Sequence, residues 1–403
     1  MSQHPSAPAP APAAAAKPHF VGIDIVKILA LFLVVSVHFF LYSGFYSTPI
    51  TTEFGQLEIY LRWFDYCCVP LFMITTGYLM KNKKLEKKYY LGVLRVLILY
   101  LVISVICVLF NHFYHHRNYS AWEFIRGLFM YSDAQYAWYV EYYFTIFLII
   151  PFINLAFNGL KTKNQKFAML ATVIAVSVFS QSLYIGFDRD TQIRLIPGYF
   201  SRCYPIAYYL FGAFLRDCPP KRNAANKLYY AAGLAVALTW LSNSTFQQSL
   251  ANSDNNNIFL SWHYNDYGSW PVFACSCLIF LLLFDITCKN KAVTAVLKVL
   301  SRATFAGYLV SYCFDQVFYN NIVAQYPTIE DRCAHMYVVI FKVFGCAMVS
   351  GLILQGLYDL GDKAVRAIAA KVRTTSAIEA AQAGRPAAKP QQPSDSDGQP
   401  PEA

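Results

Sequence analysis

The stretch IDIVKILALFLVVSVH, residues 23–38, combines a long apolar run with three ionisable side chains. In a helix, at about 100° per residue, Lys27 and His38 lie on one face with roughly 16 Å of rise between them. Asp24 lies on the same face, one turn before Lys27, and can pair with it. A charged group at depth in a bilayer costs roughly 2.5–3.5 kcal/mol on insertion scales, so the stripe predicts a polar cavity rather than contact with lipid.

The same stripe has a second interpretation. Asp24 and Lys27 would then be end residues whose side chains reach the cytosolic interface, and His38 would be a hydrogen-bonded contact between helices. The two interpretations differ in whether a ligand approaches His38.

The rest of the chain is similarly apolar. Of its 403 residues, 56% are hydrophobic and only 14% are charged, which is too apolar for a protein whose whole surface faces water. A membrane helix needs about 20 apolar residues, and runs near that length recur along the sequence. We therefore predict an all-α integral membrane protein with about ten transmembrane helices in a single bundle. The predicted spans are 23–43, 60–80, 89–111, 137–157, 167–187, 203–217, 227–243, 268–288, 299–320 and 335–358.

The distribution of Lys and Arg between the predicted loops indicates the orientation. With both termini in the cytosol, the inner loops carry basic clusters at 81–88, 161–166, 216–227 and 289–298. The outer segments 44–59 and 244–269 carry none. This asymmetry predicts a multi-pass protein of the cell (inner or plasma) membrane with cytosolic termini. The net charge of +10 follows from loops that face anionic lipid headgroups, so we infer no nucleic-acid partner.

The two ends of the chain differ in composition from the middle. Residues 1–19 are rich in Ala and Pro and lack the features of a signal peptide. Residues 361–403 form a second tail that ends in a stretch rich in Ala, Pro, Gln and Ser. We expect both tails to be cytosolic and mostly disordered, with one membrane domain over 20–360. The eleven cysteines fall mainly in predicted spans, where they are expected to pack as small apolar groups, so no metal site is predicted.

A second basic group enters the membrane on the third predicted span. Lys88 and Arg95 are seven residues apart and would share a helix face, with Arg95 about two turns into the apolar run. A guanidinium there suits phosphate groups that enter from the cytosolic side, because its planar fork matches phosphate oxygens. The alternative is an intramembrane ion pair with Asp24, Asp65 or Glu141.

Further polar side chains lie at depth in other predicted spans: Asp65, Tyr139, Glu141, and Asp315 beside Gln316. Together with many tyrosines they are compatible with a water-filled surface that accepts a sugar. Aromatic belts at the membrane interface explain the tyrosines without a ligand.

Five separate segments within residues 20–360 follow the pattern of a known family. They are a basic-x10-His element from Lys27 to His38, VPLFMITTGYL at 69–79, Arg95 after a basic loop, AWYVEYYFTIFLIIPFI at 137–153 and SRATFAGYLV at 301–310. In this order they resemble the acyltransferase-3 family of membrane O-acyltransferases. The layout, including IPGYFSRCYPIAYYLFGAFL at 196–215, is most similar to the branch that contains the enterobacterial common antigen O-acetyltransferase.

The resemblance implies about ten membrane helices and transfer of an acyl group, here expected to be acetyl, from cytosolic acyl-CoA to a hydroxyl of a cell-envelope or lipid-linked saccharide. His38 matches the family's essential histidine and is the expected general base, since an imidazole accepts a hydroxyl proton near neutral pH. Membrane lipid, acyl-CoA and the saccharide are the expected partners, and no permanently bound cofactor is expected.

The remaining candidate residues take supporting roles under this resemblance. Lys27, Lys88 and Arg95 would hold the phosphates of the acyl-CoA donor. The expected supporting polar residues are Asp24, Asp65, Tyr139 and Glu141.

The sequence departs from the family pattern at three positions. Gly92 stands at the first position of the family's common Arg-x-x-Arg on the third span. Ser311 replaces the His that usually ends the late element, and Tyr136 replaces a His at the start of the fourth span. The first departure weakens the expectation that the third span alone binds phosphate.

Two other functions are compatible with these residues. A saccharide exporter would have a polar path open to both membrane faces, whereas the ionisable residues here cluster towards the cytosolic half and lead to one histidine. A non-enzymatic membrane scaffold would use the polar stripe only for helix packing, and replacement of His38 by Gln would then be harmless.

Overall fold

The computed structural model describes residues 19–179, 196–261 and 267–382, which fold into a bundle of α-helices. For these residues the predicted all-α class is confirmed. The helices are α1 (Val21–Tyr42), α2 (Glu53–Asp65), α3 (Cys68–Met80), α4 (Lys87–Leu91), α5 (Leu94–Tyr114), α6 (Ala121–Phe129), α7 (Trp138–Gly159), α8 (Lys163–Ser177), α9 (Tyr204–Asp217), α10 (Ala224–Leu250), α11 (Trp270–Leu283), α12 (Lys291–Phe318), α13 (Ile322–Gln325) and α14 (Ile329–Gln382).

Local sequence signals explain where several helices begin. α6 and α8 each start with a capping box, made by Ser120 with Glu123 and by Thr162 with Gln165. In both, the two side chains satisfy backbone N–H groups that have no partner inside the helix. α9 and α11 have proline in their first turn, where its missing N–H costs nothing.

The predicted span 60–80 is two helices in the structure. α2 ends at Asp65 and α3 begins at Cys68, with Pro70 in the first turn of α3. Pro70 has no N–H to donate to the carbonyl of Tyr66, so a continuous helix would lose that bond and its ring would clash. The segment predicted as the span 60–80 therefore consists of two helices joined by a turn at Tyr66 and Cys67.

α1 is the central helix of the bundle. It packs against α2, α3, α11 and α12. Ala30, Leu33, Val35 and Phe39 have no exposed area. A helix surrounded on all sides is expected to be apolar around its whole circumference. The polar stripe of Asp24, Lys27 and His38 departs from this rule and therefore needs polar partners on other helices.

α3 and α9 cross at very short distance. A Cβ at Gly77 would lie 1.9 Å from the carbonyl oxygen of Tyr209, and a Cβ at Gly212 would lie 2.1 Å from that of Ile74. The absence of a side chain at both positions allows the two backbones to approach this closely.

Two acidic side chains join helix ends that the sequence places at the cytosolic face. Asp217, the last residue of α9, forms ion pairs with Lys81 after α3 and with Lys166 of α8. Asp285 after α11 forms an ion pair with Lys227 of α10. Some of the basic residues that give the loops their charge therefore have structural partners.

Five described helical stretches are long and apolar enough to cross a membrane: Val21–Ser47, Lys87–Tyr114, Trp138–Gly159, Lys291–Gln325 and Ile329–Ser376. Large apolar side chains on their surfaces are exposed, including Leu148, Phe152 and Phe341. Such surfaces are suited to lipid, in agreement with a membrane protein.

The predicted count of ten spans is not confirmed. The helices at 60–80, 203–217 and 268–288 have 13 or 14 residues each. A perpendicular crossing of the hydrocarbon core needs about 20. The predicted span 167–187 is helical in α8 as far as Ser177, and residues 180–187 lie outside the described part of the chain.

The contacts divide the chain into two units, Met1–Leu354 and Gln355–Ala403. In the second unit α14 continues to Gln382, which differs from the mostly disordered tail expected from residue 361. The segment is rich in alanine, the best helix former, and its first proline is Pro386. Residues 1–18 and 383–403, where the rest of the predicted tails falls, lie outside the described residues.

Candidate active site

α1 and α12 run parallel and are joined by two polar contacts in the same register. Ser301 Oγ donates a hydrogen bond to Asp24 Oδ1 at 2.5 Å. Fourteen residues further along both helices, His38 Nδ1 lies 3.0 Å from Asp315 Oδ2. The two contacts are about 21 Å apart along the helix axes. Together they define the direction and the register of α12 against α1.

The carboxylate of Asp315 is fully buried and one of its oxygens has two polar partners. Tyr136 O–H donates to Oδ2 at 2.6 Å, and His38 Nδ1 lies 3.0 Å from the same oxygen. An ionised carboxylate can only accept hydrogen bonds, so a neutral imidazole in this contact carries its proton on Nδ1. Nε2 then has the free lone pair. Within the described part of the chain, Oδ1 of Asp315 has no hydrogen-bond partner.

The ring of Tyr136 packs against one face of the imidazole of His38. The two ring centroids are 3.8 Å apart with an angle of 30° between the planes. The hydroxyl of Tyr136 also lies 3.2 Å from that of Tyr42, and its carbonyl accepts a hydrogen bond from Tyr308 O–H. The tautomer and the ring plane of His38 are therefore both determined by neighbouring side chains, which is the arrangement a preorganised catalytic group requires.

A cavity of about 290 Å³ lies near the N-terminal half of α1. Lys27 of α1, Arg95 of α5 and Arg302 of α12 line it. Asp24 acts most strongly among the charges on Lys27, and the two arginines oppose it. No acidic side chain is among the described residues that line it. A positive wall of this kind concentrates anionic ligands.

Tyrosines lie between this cavity and His38. Tyr139 and Tyr308 line the cavity, and their rings meet edge to face with centroids 6.0 Å apart. Tyr308 O–H donates to the backbone of Tyr136, whose ring contacts His38. The basic cavity and the histidine are therefore neighbouring regions of one site, connected through the Tyr136–Tyr308 contact.

The structure brings together most of the predicted site residues. Lys27, Arg95 and Tyr139 share the cavity. Asp24 binds Ser301 beside that cavity and also lies 2.5 Å from His19 Nε2. Asp65 is buried on α2, where it accepts a hydrogen bond from Ser36 Oγ at 2.5 Å. Ser36 lies on α1, two residues before His38.

Lys88, which the sequence assigns to the same phosphate-binding role as Arg95, lies outside the basic cavity. α4 ends at Leu91 and α5 begins at Leu94, so the helical repeat is interrupted at Gly92 and Val93. Gly92 favours such an interruption because glycine is a poor residue for a helix interior. Lys88 is exposed on α4 and is not part of the cavity wall.

Glu141 lies away from the histidine. It is exposed on α7 and lines a second cavity of about 270 Å³ together with Arg202 and Pro205. The structure therefore gives it no contact with His38 or with the basic cavity.

Three residues of the site had no role in the sequence-based prediction. Asp315 is recognisable as a polar residue at depth, and Tyr136 and Arg302 lie inside or beside family-like segments. No local pattern connects them to His38 or Lys27, because the contacts join helices far apart in the sequence. Across the described ranges, no group of three His, Cys, Asp or Glu side chains could hold a metal ion.

The comparison with known families agrees with this arrangement. Residues 20–354 match the family model Acyl_transf_3, described as an acyltransferase domain. The chain belongs to the acyltransferase-3 family. No curated protein and no solved structure matches it. Family membership supports acyl transfer in the membrane as the general activity of this acyltransferase-3 protein, and the match includes His38, Asp315 and the basic cavity.

Proposed function

We propose that this acyltransferase-3 protein transfers an acyl group, acetyl first of all, from acyl-CoA to a hydroxyl of a cell-envelope or lipid-linked saccharide. His38 is the general base. The observation that carries the proposal is the contact between His38 Nδ1 and Asp315 Oδ2 at 3.0 Å, which leaves Nε2 available to a substrate.

The reaction needs one proton acceptor and one nucleophile. Nε2 of His38 accepts the proton of the saccharide hydroxyl as its oxygen attacks the carbonyl carbon of the thioester. The new C–O bond forms and the C–S bond breaks. The CoA thiolate then takes the proton from the imidazolium, which returns His38 to its starting state. Asp315 positions the imidazole and stabilises its positive charge while it carries two protons.

The basic cavity supports acyl-CoA as the donor. Lys27 and Arg95 line a space large enough for part of an extended ligand, and the phosphates of CoA are the anionic groups they would hold. Lys27 and His38 are eleven residues apart on α1, roughly 16 Å along the axis. A pantetheine arm can bridge that distance and bring the thioester to the histidine.

The proposal for the acceptor rests on the family-like segments and on the setting in a membrane. Basic loops favour an orientation in the inner or plasma membrane with both termini in the cytosol. The acyl-CoA then enters from the cytosolic side, where Lys27 lies. Tyrosine side chains around His38, such as Tyr42 and Tyr136, offer hydroxyl groups and ring faces of the kind that bind sugars.

The test is transfer of radiolabelled acetyl from acetyl-CoA to envelope carbohydrate by membranes that contain the full chain. We compare the wild type with His38→Ala and, as a matched control, with His112→Ala, an exposed histidine at the end of α5. We expect label to be lost in His38→Ala alone.

Two results would contradict the proposal in different ways. Equal transfer by wild type and His38→Ala would support the acyltransferase activity and exclude His38 as its general base. No transfer from any acyl-CoA tried, together with movement of saccharide across the membrane, would favour the exporter.

A further inference from the structure

The basic cavity contains one cation that the sequence did not predict for it. Arg302 of α12 contributes to its wall together with Lys27 of α1 and Arg95 of α5. Arg95 Nη2 donates a hydrogen bond to the carbonyl oxygen of Arg302 at 3.4 Å, so α5 and α12 are in contact here. Three cationic side chains from three helices line this cavity, and the negative charge of Asp24 also acts on Lys27. These four groups together carry a net positive charge, which attracts a ligand with several negative charges.

Position 92 on the third span supplies no charge to the cavity. Gly92 also lines the cavity, but it has no side chain to hold a phosphate. A Cβ there would lie 2.9 Å from the carbonyl oxygen of Tyr89, so a long side chain is disfavoured at this position. Arg302 of α12 supplies the cavity with a cation that position 92 does not.

A neutral polar group in the same cavity indicates a ligand with more than phosphates. Thr75 lines the cavity and is 4% exposed, and its Oγ1 has no hydrogen-bond partner within the described residues. A buried hydroxyl without a partner is costly unless a ligand binds it. The amide and thioester carbonyls of an acylated pantetheine arm are suitable acceptors for it.

We infer that Arg302 is the third phosphate-binding cation of the donor site and that Thr75 binds the neutral arm of the same ligand. The ligand class is a phosphorylated adenosine nucleotide that carries a pantetheine arm. The inference rests on the proposed function, because it takes acyl-CoA to be the donor. It assigns the cations and the Thr75 hydroxyl to two chemically different parts of one ligand.

The experiment measures binding rather than transfer, with the purified full chain in lipid nanodiscs and free CoA as the probe. Calorimetry gives the Kd of CoA, dephospho-CoA and pantetheine for the wild type and for Arg302→Gln, Arg302→Lys and Thr75→Val. Lys291→Gln is the matched control, because Lys291 is an exposed cation on α12 that does not line the cavity.

We expect Arg302→Gln to raise the Kd of CoA about tenfold, equivalent to about 1.4 kcal/mol. Arg302→Lys should retain most of the affinity, and pantetheine should bind Arg302→Gln as it binds the wild type. Thr75→Val should raise the Kd of CoA and the Kd of pantetheine by the same factor. The Lys291→Gln variant should bind all three ligands like the wild type.

Two outcomes overturn the inference and are distinguishable from each other. If the wild type binds CoA and Arg302→Gln binds it equally well, Arg302 is not part of the phosphate site and the proposed function stands. If the wild type binds no CoA while acyl-CoA supports no transfer, the proposed donor is wrong and this assignment fails with it.

Discussion

His38 Nδ1 lies 3.0 Å from Asp315 Oδ2. Asp24 and Ser301 form a hydrogen bond fourteen residues earlier on the same two helices, so the two pairs lie in the same register. The contact near the start of α1 adjoins the basic cavity, and the later one orients the histidine. A shift of α12 by one residue would rotate Asp315 by about 100° and break both contacts. The register of one helix pair therefore positions a wall of the basic cavity and His38 together.

Asp315→Asn should lower kcat by about 10²–10⁴ while leaving the Kd of CoA unchanged. The amide can present its N–H₂ group to Nδ1, which would place the imidazole proton on Nε2 and remove the base. Kinetics with acetyl-CoA and calorimetry with CoA separate the two effects. Asp254→Asn, an exposed loop substitution, is the control. A kcat within about twofold of the wild type would exclude a positioning role for Asp315.

Tyr136→Phe should lower kcat about tenfold, less than Asp315→Asn. It removes the 2.6 Å hydrogen bond to Asp315 but keeps the ring that packs on His38. A hydrogen bond to a charged group contributes about 1.5–3 kcal/mol. Tyr42→Phe is the matched control, because the Tyr42 hydroxyl contacts that of Tyr136. Equal losses in both variants would show that the tyrosine hydroxyls act as one network rather than through Asp315.

Gly77→Leu should destabilise the protein by at least about 1–3 kcal/mol, because a side chain there enters the backbone of α9. The apparent midpoint of thermal unfolding in detergent should fall. Gly159→Ala is the control, since a Cβ at Gly159 meets nothing within 4 Å. If both variants unfold at the same temperature, the close crossing of α3 and α9 does not limit stability.

Asp133→Asn should stabilise the protein at pH 8 and have a smaller effect at pH 5. Burial raises the pKa of Asp133 to about 6, against a smaller opposing influence of Arg117. The folded state therefore holds a proton that the unfolded state has released, and this contribution to stability is lost as pH rises through about 6. Asparagine keeps the group neutral throughout.

Thermal unfolding of Asp133→Asn at the two pH values checks this sign. Asp254→Asn, at an exposed position, should show no such pH dependence. A larger increase in the unfolding temperature of Asp133→Asn at pH 5 than at pH 8 would mean that the folded protein stabilises the carboxylate of Asp133 rather than destabilising it.

Several features of the site follow from the sequence because they depend on helical periodicity. Asp24, Lys27 and His38 share a face of α1, and that face meets polar partners in the structure. Arg95 and Lys27, for which the sequence predicts one common role, line one cavity. The breaks between helices are less evident from periodicity: α2 ends at Asp65 and α3 begins at Cys68, within the predicted span 60–80. Lys88 lies on α4 and Arg95 on α5.

The sequence by itself determined an all-helical, lipid-compatible chain with a polar stripe on α1, because apolar content and spacing along one helix are local properties. Tertiary structure alone decided which residues complete the site. Asp315 reaches His38 from 277 positions away, and Arg302 reaches the cavity of Lys27 from α12. Such contacts depend on how two helices pack and in which register, and no repeat within either helix contains that information.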